Sequence, residues 1–451
     1  MVLEGAMVLS GPEWKPRPDS AVLINGDRIE TISNIGGFQY PPGAKVVDCR
    51  GKYLLPGFID MHTHCLTLSA TDFLSQFGPR LDGSAHREWF LRLFLAYGVT
   101  TIRDIGNYPE IMELRKTHVG GTDGPLIVAA AELMEGPEPL WPLGRKVRNA
   151  DTARQEVRRQ KQLGAEWVKL YAGLEMDAAE AAIEEAHALG MRVAGHIGKT
   201  TARQAARMGV DTLEHALTLV DEEFLSLEDR RSLPSASDAQ LRRERNRQMW
   251  MKADFDSEAA MDLIMALRES GTVVCPTLIV HETTMSGPTR DYQNYAYDFV
   301  PQRWLDVWDG RFEVFNPGGQ PAHDAAEGFR KAQNLVSQLS LAGVPILCGT
   351  DSALWNPYAV PGASIHREME LLVEAGLKPK TVLSSVTGLA AGVLAPACDA
   401  GVIEEGKRAD LVLLDGNPLE DIHRTRDIKL VVNKGQAFTP EDILEDTSIL
   451  E

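Results

Sequence analysis

The strongest constraint in this chain is an alternation. Apolar runs at 57–62, 98–104, 125–131, 166–171, 191–196, 210–215, 271–280 and 344–350 read as strands. Between most of them lie stretches of helical periodicity, such as Ala150–Leu163 and 178–189, often closed by a glycine (Gly164, Gly190, Gly209). Strands separated by helices cross over and lie parallel. Eight such units over about 340 residues predict an α/β fold, a (β/α)8 TIM-like barrel across 53–399. The competing architecture is a doubly wound open sheet. No Gly-x-Gly-x-x-Gly follows a strand to support it.

The two ends of the chain differ from this middle. Ala21-Val22-Leu23-Ile24 and Arg28-Ile29-Glu30-Thr31-Ile32 flank Asn25-Gly26, a hairpin signal. Lys45 to Cys49 is another strand candidate. Residues 401–436 repeat this character in Asp410 to Leu414 and Ile428 to Asn433. A small β-sandwich domain built from 1–52 and 400–451 is therefore expected.

A net charge of −18 makes the chain a poor partner for nucleic acid and for anionic membranes. No apolar run approaches the ~18–20 residues of a membrane span. The first residues show no signal-peptide pattern. The five cysteines, Cys49, Cys65, Cys275, Cys348 and Cys398, are scattered and odd in number, which fits reduced thiols and a cytoplasmic location.

The chemistry collects at strand ends. The first barrel strand ends in His62-Thr63-His64, and a period of 2 turns both imidazoles the same way. Alone, that pair reads equally as a metal site or as two surface histidines in a turn. The other ends carry Lys169 and Tyr171, His196, His215 and Asp351. In a barrel these C-terminal ends converge on one face. Neutral imidazoles and a carboxylate suit Zn²⁺ and similar ions. Lys169 is a cation among apolar neighbours, and burial favours its neutral amine. A neutral amine can add CO₂ and become a carbamate, an anion able to bridge two metals; the plain alternative is a snorkelling lysine. Asp351 can ligate a metal, take a proton from a metal-bridging water and pass it to a leaving amine.

The sequence resembles the amidohydrolase superfamily, in its imidazolonepropionase-like and prolidase-like branch. The resemblance rests on Leu55-Pro56-Gly57-Phe58-Ile59-Asp60-Met61-His62-Thr63-His64, Gly98-Val99-Thr100-Thr101, Leu213-Glu214-His215, Gly349-Thr350-Asp351 and the tail from Lys407 to Leu419. It implies a metal-dependent hydrolase of C–N bonds, acting on an amide, a dipeptide or an N-acyl amino acid. It implies two divalent metal ions, Zn the expected one. His62 and His64 would hold the more buried ion and His196 and His215 the second. A CO₂-derived carbamate on Lys169 would bridge them, and Asp351 would be ligand and general base. The expected partners are a small-molecule substrate and further copies of the same chain in a homo-oligomer.

Tyr171 and His281 are the candidate substrate contacts. Dipeptidase-like relatives tend to carry a tyrosine where this chain has Gly198, and a histidine in the segment 132–142, which has none. Arg145, Lys146 and Arg148 are the alternative receivers of a substrate carboxylate, or a solvated face. His366 and the Arg103-Asp104 pair read as supporting or structural, and His86, His118, His187, His323 and His423 as bystanders. The aromatic segment 281–330, with Tyr292, Tyr295, Trp304, Trp308, Pro317, Gly318 and Gly319, reads as a substrate lid or as a helical subdomain with its own core. Two other functions compete: a mononuclear deaminase or cyclic amide or lactone hydrolase on the same barrel, and a catalytically dead binding protein. A deaminase needs an acid near His196, and Ile197-Gly198-Lys199 offers none. A dead relative would have lost a ligand, and all six are present.

Overall fold

The computed structural model describes residues 1–65, 83–117, 124–141, 143–235, 239–315 and 323–444. His118, Pro317, Gly318 and Gly319 lie outside the described residues.

Two sheets organise the chain. The first joins both ends, in the order β17-β16-β15-β5-β1-β2-β3 with β4 beside β1. Its strands are β1 (Val2–Val8), β2 (Arg17–Asn25), β3 (Arg28–Asn34), β4 (Val46–Asp48), β5 (Tyr53–Pro56), β15 (Leu411–Leu414), β16 (Ile428–Asn433) and β17 (Gln436–Phe438). The Asn25-Gly26 hairpin is present, with Asn25 opposite Arg28. β5 lies antiparallel to β15, so the chain leaves this sheet only at Gly57.

The second sheet is the barrel. Its strands are β6 (Phe58–Thr63), β7 (Val99–Ile105), β8 (Leu126–Ala130), β9 (Leu133–Glu135), β10 (Gly144–Lys146), β11 (Trp167–Leu170), β12 (Arg192–Gly195), β13 (Thr212–Glu214) and β14 (Val273–Cys275). The path β6-β7-β8-β11-β12-β13-β14 is parallel throughout. β6 and β7 are buried on both faces, as parallel strands covered by helices must be. β9 and β10 form a small parallel extension beside β11.

The expected strand 344–350 is not a regular strand. It still closes the barrel. Leu347 N–H donates to Val274 O (2.8 Å) on one side, and Met61 N–H donates to Cys348 O (3.1 Å) on the other. Asp351 N–H donates to His62 O at 2.7 Å. Gly349 permits this approach: a Cβ there would stand 2.5 Å from Cys275 Sγ and 2.8 Å from His62 N.

The expected strand 271–280 is also corrected. It ends at Cys275, and Leu278–Ser286 is a helix. Pro276 has no N–H to extend the ladder, and Thr277 turns the chain at φ +49°. The buried Glu368 carboxylate then receives the first helical N–H groups, those of Leu278 (3.0 Å) and Ile279 (2.7 Å).

The aromatic segment is helical, in Arg290–Ala296, Gln302–Phe315 and His323–Leu341. Tyr292, Trp304 and Trp308 are fully buried. Trp308 donates to Leu354 O, and the Tyr292 hydroxyl pairs with Ser364 Oγ. Of the two readings of this segment, the buried rings fit the helical subdomain, anchored to Leu354 and Ser364 outside it rather than standing free over the barrel mouth. No helix among the described residues is long and apolar enough to cross a membrane. All five cysteines are buried free thiols.

Candidate metal centre

One cavity of about 170 Å³ opens at the C-terminal ends of the barrel strands. His62, His64, Lys169, Tyr171, His196, His215 and Asp351 all line it. Seven residues scattered over the sequence are thus brought together, as a parallel barrel brings its strand ends together. Asp351 Oδ1 lies 3.2 Å from His64 Nε2 and 3.5 Å from His62 Nε2, and its Oδ2 lies 3.9 Å from His215 Nδ1. The imidazoles form a chain of rings. Centroids are 5.3 Å apart for His62 and His64, 4.7 Å for His62 and His215, and 4.6 Å for His196 and His215.

Three of the four histidines are aimed by their second nitrogen. His62 Nδ1 bonds Glu214 Oε2 (2.8 Å), His64 Nδ1 bonds Gly106 O (2.7 Å), and His215 Nδ1 bonds Thr277 Oγ1 (2.8 Å). Such partners fix ring orientation. Glu214 is itself held by Arg103 Nη2 (2.7 Å) and Thr212 Oγ1 (2.6 Å). Arg103 and Asp104 are therefore supports, as expected: Asp104 receives the N–H of Cys65 and the amide of Asn107.

Electrostatics favour ligand-ready states. Burial, with the Lys169 charge next, holds His62 well below its ordinary pKa, and holds His196 near 3. Burial and the neighbouring His196 do the same for His215. Burial also pulls His64 down, but the bond to Asp351 together with the Asp351 and Asp104 charges outweighs that and raises it. Burial lowers the Lys169 amine to about 8, partly opposed by Glu214. Burial pushes Glu214 up, but Arg103, Lys169 and the Thr212 hydroxyl together outweigh it and hold the carboxylate below its usual range.

Lys169 Nζ and His62 Nε2 are buried with no hydrogen-bond partner. Buried polar atoms without partners are rare and costly. Here they point to a group that donor sets of this type hold. His62, His64 and Asp351 already bring one ligand atom each within 4.8 Å of one another. The residues present fit divalent metal.

The other candidates divide. His281 sits on the helix after β14, buried and held near pKa 4, and is not among the described residues lining the cavity. Its field still reaches His196 and His215. His366 is structural, bonded to Tyr97 O and Thr425 Oγ1. His187 is exposed and pairs with Asp211. Gly198 could not be a tyrosine without a shift, since a Cβ there would meet Ala172 O at 2.6 Å. The sequence reading missed the apolar walls: Leu133, Trp141, Leu143 and Trp355, with Asn356. Apart from Leu133, which opens the short β9, they sit on irregular segments where no periodicity marks them. Glu214 carried one usable signal, an acid inside an apolar strand.

A family model described as Amidohydrolase family matches residues 53–438. A stretch of 118 residues is 33% identical to an imidazolonepropionase of Thermoplasma acidophilum, over 25% of this chain. The chain thus spans about a quarter of that curated relative's length (27%). Among solved structures, a putative prolidase from Bifidobacterium longum superposes with a TM-score of 0.68 at 22% identity, covering 100% of this chain and 98% of that one. A Xaa-Pro dipeptidase with methionine in its active site gives a TM-score of 0.67 at 20% identity, covering 97% and 99%. At such identities the two structures bear on the fold alone.

Proposed function

The chain belongs to the amidohydrolase family, and from that premise we propose that it is a metal-dependent hydrolase of C–N amide bonds in small molecules. His62 and His64 would hold one divalent ion and His196 and His215 a second, with Asp351 as a further ligand. Lys169 would bridge the two after its neutral amine adds CO₂ and loses a proton. Bound divalent ions of this kind polarise a scissile carbonyl and make water acidic. Zn²⁺ suits the imidazole-rich donor set.

The protein's own groups account for the rest. Asp351 can take a proton from water at a carboxylate oxygen and return it to the departing amine. The Tyr171 hydroxyl receives the Trp141 indole N–H (2.8 Å), so its own proton is free to reach substrate. Glu214 is engaged with Arg103, Thr212 and His62, which argues against its serving as the free proton shuttle of a deaminase. One observation carries the reading: a buried lysine nitrogen without a partner, in the same cavity as four imidazoles and a carboxylate.

The test is metal analysis of the purified chain and of Lys169→Ala. The parent is expected to hold two ions per chain and to lose amide hydrolysis on chelation. The variant is expected to hold fewer. Undiminished hydrolysis after chelation, or two ions retained without Lys169, defeats the proposal.

A further inference from the structure

We infer that the substrate of this centre is an uncharged amide carrying a flat apolar group, and that it bears no free carboxylate. The inference rests on the metal-hydrolase reading and narrows it.

Beyond the donor residues, the described lining consists of Leu133, Trp141, Leu143, Tyr171, Trp355 and Asn356. The aromatic surfaces begin where the donors end. The Trp355 ring lies 5.2 Å from His64, and the Tyr171 ring lies 4.3 Å from His196. Trp141 stacks on Trp355 at 5.6 Å with an interplanar angle of 22°. The Trp141 N–H bonds the Tyr171 hydroxyl, which ties these rings into one wall. Flat groups pack against such faces. A cavity near 150 Å³ accepts benzene, so a space of about 170 Å³ is on the scale of one ring.

No cation outside the donor cluster lines this space among the described residues. Arg145 turns to Glu156 (3.5 Å), Lys199 pairs with Glu175, and Lys146 and Arg148 are exposed. A substrate carboxylate lodged between these walls would be desolvated without a counter-charge. An amide meets Asn356 instead: its side-chain N–H donates to Asp351 O (2.6 Å), and its carbonyl oxygen remains an acceptor for a substrate N–H.

Two ligands that differ only in charge decide the matter: N-benzoylalanine and its methylamide, titrated by calorimetry into the metal-loaded full chain. The methylamide is expected to bind at least ~10-fold tighter. Equal or tighter binding of the acid overturns the inference, as does no binding of either. Trp355→Ala should weaken the methylamide ~10-fold while metal content stays at the parent value. If that variant fails to fold, Trp141→Ala serves the same purpose. Unchanged methylamide affinity in the folded variant counts against the inference. The binding ratio judges the pocket, and sensitivity to chelation judges the underlying reading, so the two can fail separately.

Discussion

Replacing Arg103 with leucine tests the support beneath the cluster. Arg103 is 0% exposed. Its Nε donates to Met61 O (2.6 Å), its Nη1 to Thr212 Oγ1 (2.9 Å) and its Nη2 to Glu214 Oε1 (2.7 Å). The guanidinium also lies 4.6 Å from the Trp167 ring centroid. Arg103→Leu keeps most of the apolar volume but strands the Glu214 carboxylate in the interior. Breaking a buried pair on one side costs about 3–5 kcal/mol. With an unfolding entropy that scales with chain length, this lowers Tm by ~3–5 °C in a chain this long. The measurement belongs on the apo protein, where bound metal cannot mask the loss. Glu214→Gln alone should cost a similar amount, because it strands Arg103. The double variant should lose no more than either single one, giving a coupling of about 3–5 kcal/mol, the size of one single loss. A single-variant drop under ~1 °C, or losses that simply add, would refute this account of the pair.

Three further outcomes are expected. Burial pushes Glu368 up to about 8, so between the ordinary carboxylate range and pH 8 the folded state binds a proton the unfolded state has released. Stability should therefore fall as pH rises through that window, by at most about 1.4 kcal/mol per pH unit; Glu368→Gln should flatten the slope in Tm-versus-pH scans, and an unchanged slope would assign it elsewhere. Gly349→Ala should cost ~1–3 kcal/mol through the clash with His62 and Cys275, read as reduced Tm, whereas a neutral effect would mean the eighth segment gives way freely. Trp304→Ala should cost ~3–5 kcal/mol while leaving the KM for substrate unaltered, since its ring is fully buried in the helical subdomain. A raised KM at unchanged Tm would restore the lid.

How far the sequence could be read depended on whether a residue sat on a periodic element. β6, β11 and β12 were legible because their apolar runs are continuous and glycines punctuate the helices between them. The Asn25-Gly26 turn was legible because few residues accept its geometry. The extent of β14 was not, since Leu278-Ile279-Val280 is as apolar as a strand. What decides that segment is Glu368, nearly a hundred residues later, accepting N–H bonds that a strand would have sent sideways. The aromatic walls were illegible for the same reason. Trp141 and Trp355 lie 214 positions apart and meet only through the closure of the barrel.

The donors explain why the eighth segment is irregular. His215, Thr277 and Asp351 all have positive φ, at +65°, +49° and +52°. For residues other than glycine such backbones cost of order 1–3 kcal/mol each and survive only where neighbours hold them. The holding bonds are visible. His215 N–H donates to Cys275 O, Asp351 N–H donates to His62 O, and the Asn356 amide donates to Asp351 O. In a continued pleat, Asp351 would alternate with its neighbours rather than turn toward three imidazoles. A regular strand and a converging donor set are thus competing demands on the same residues. The eighth segment keeps only isolated ladder bonds, such as those at Leu347 and Cys348, and gives up the pleat beyond Gly349, where Asp351 turns into the cluster.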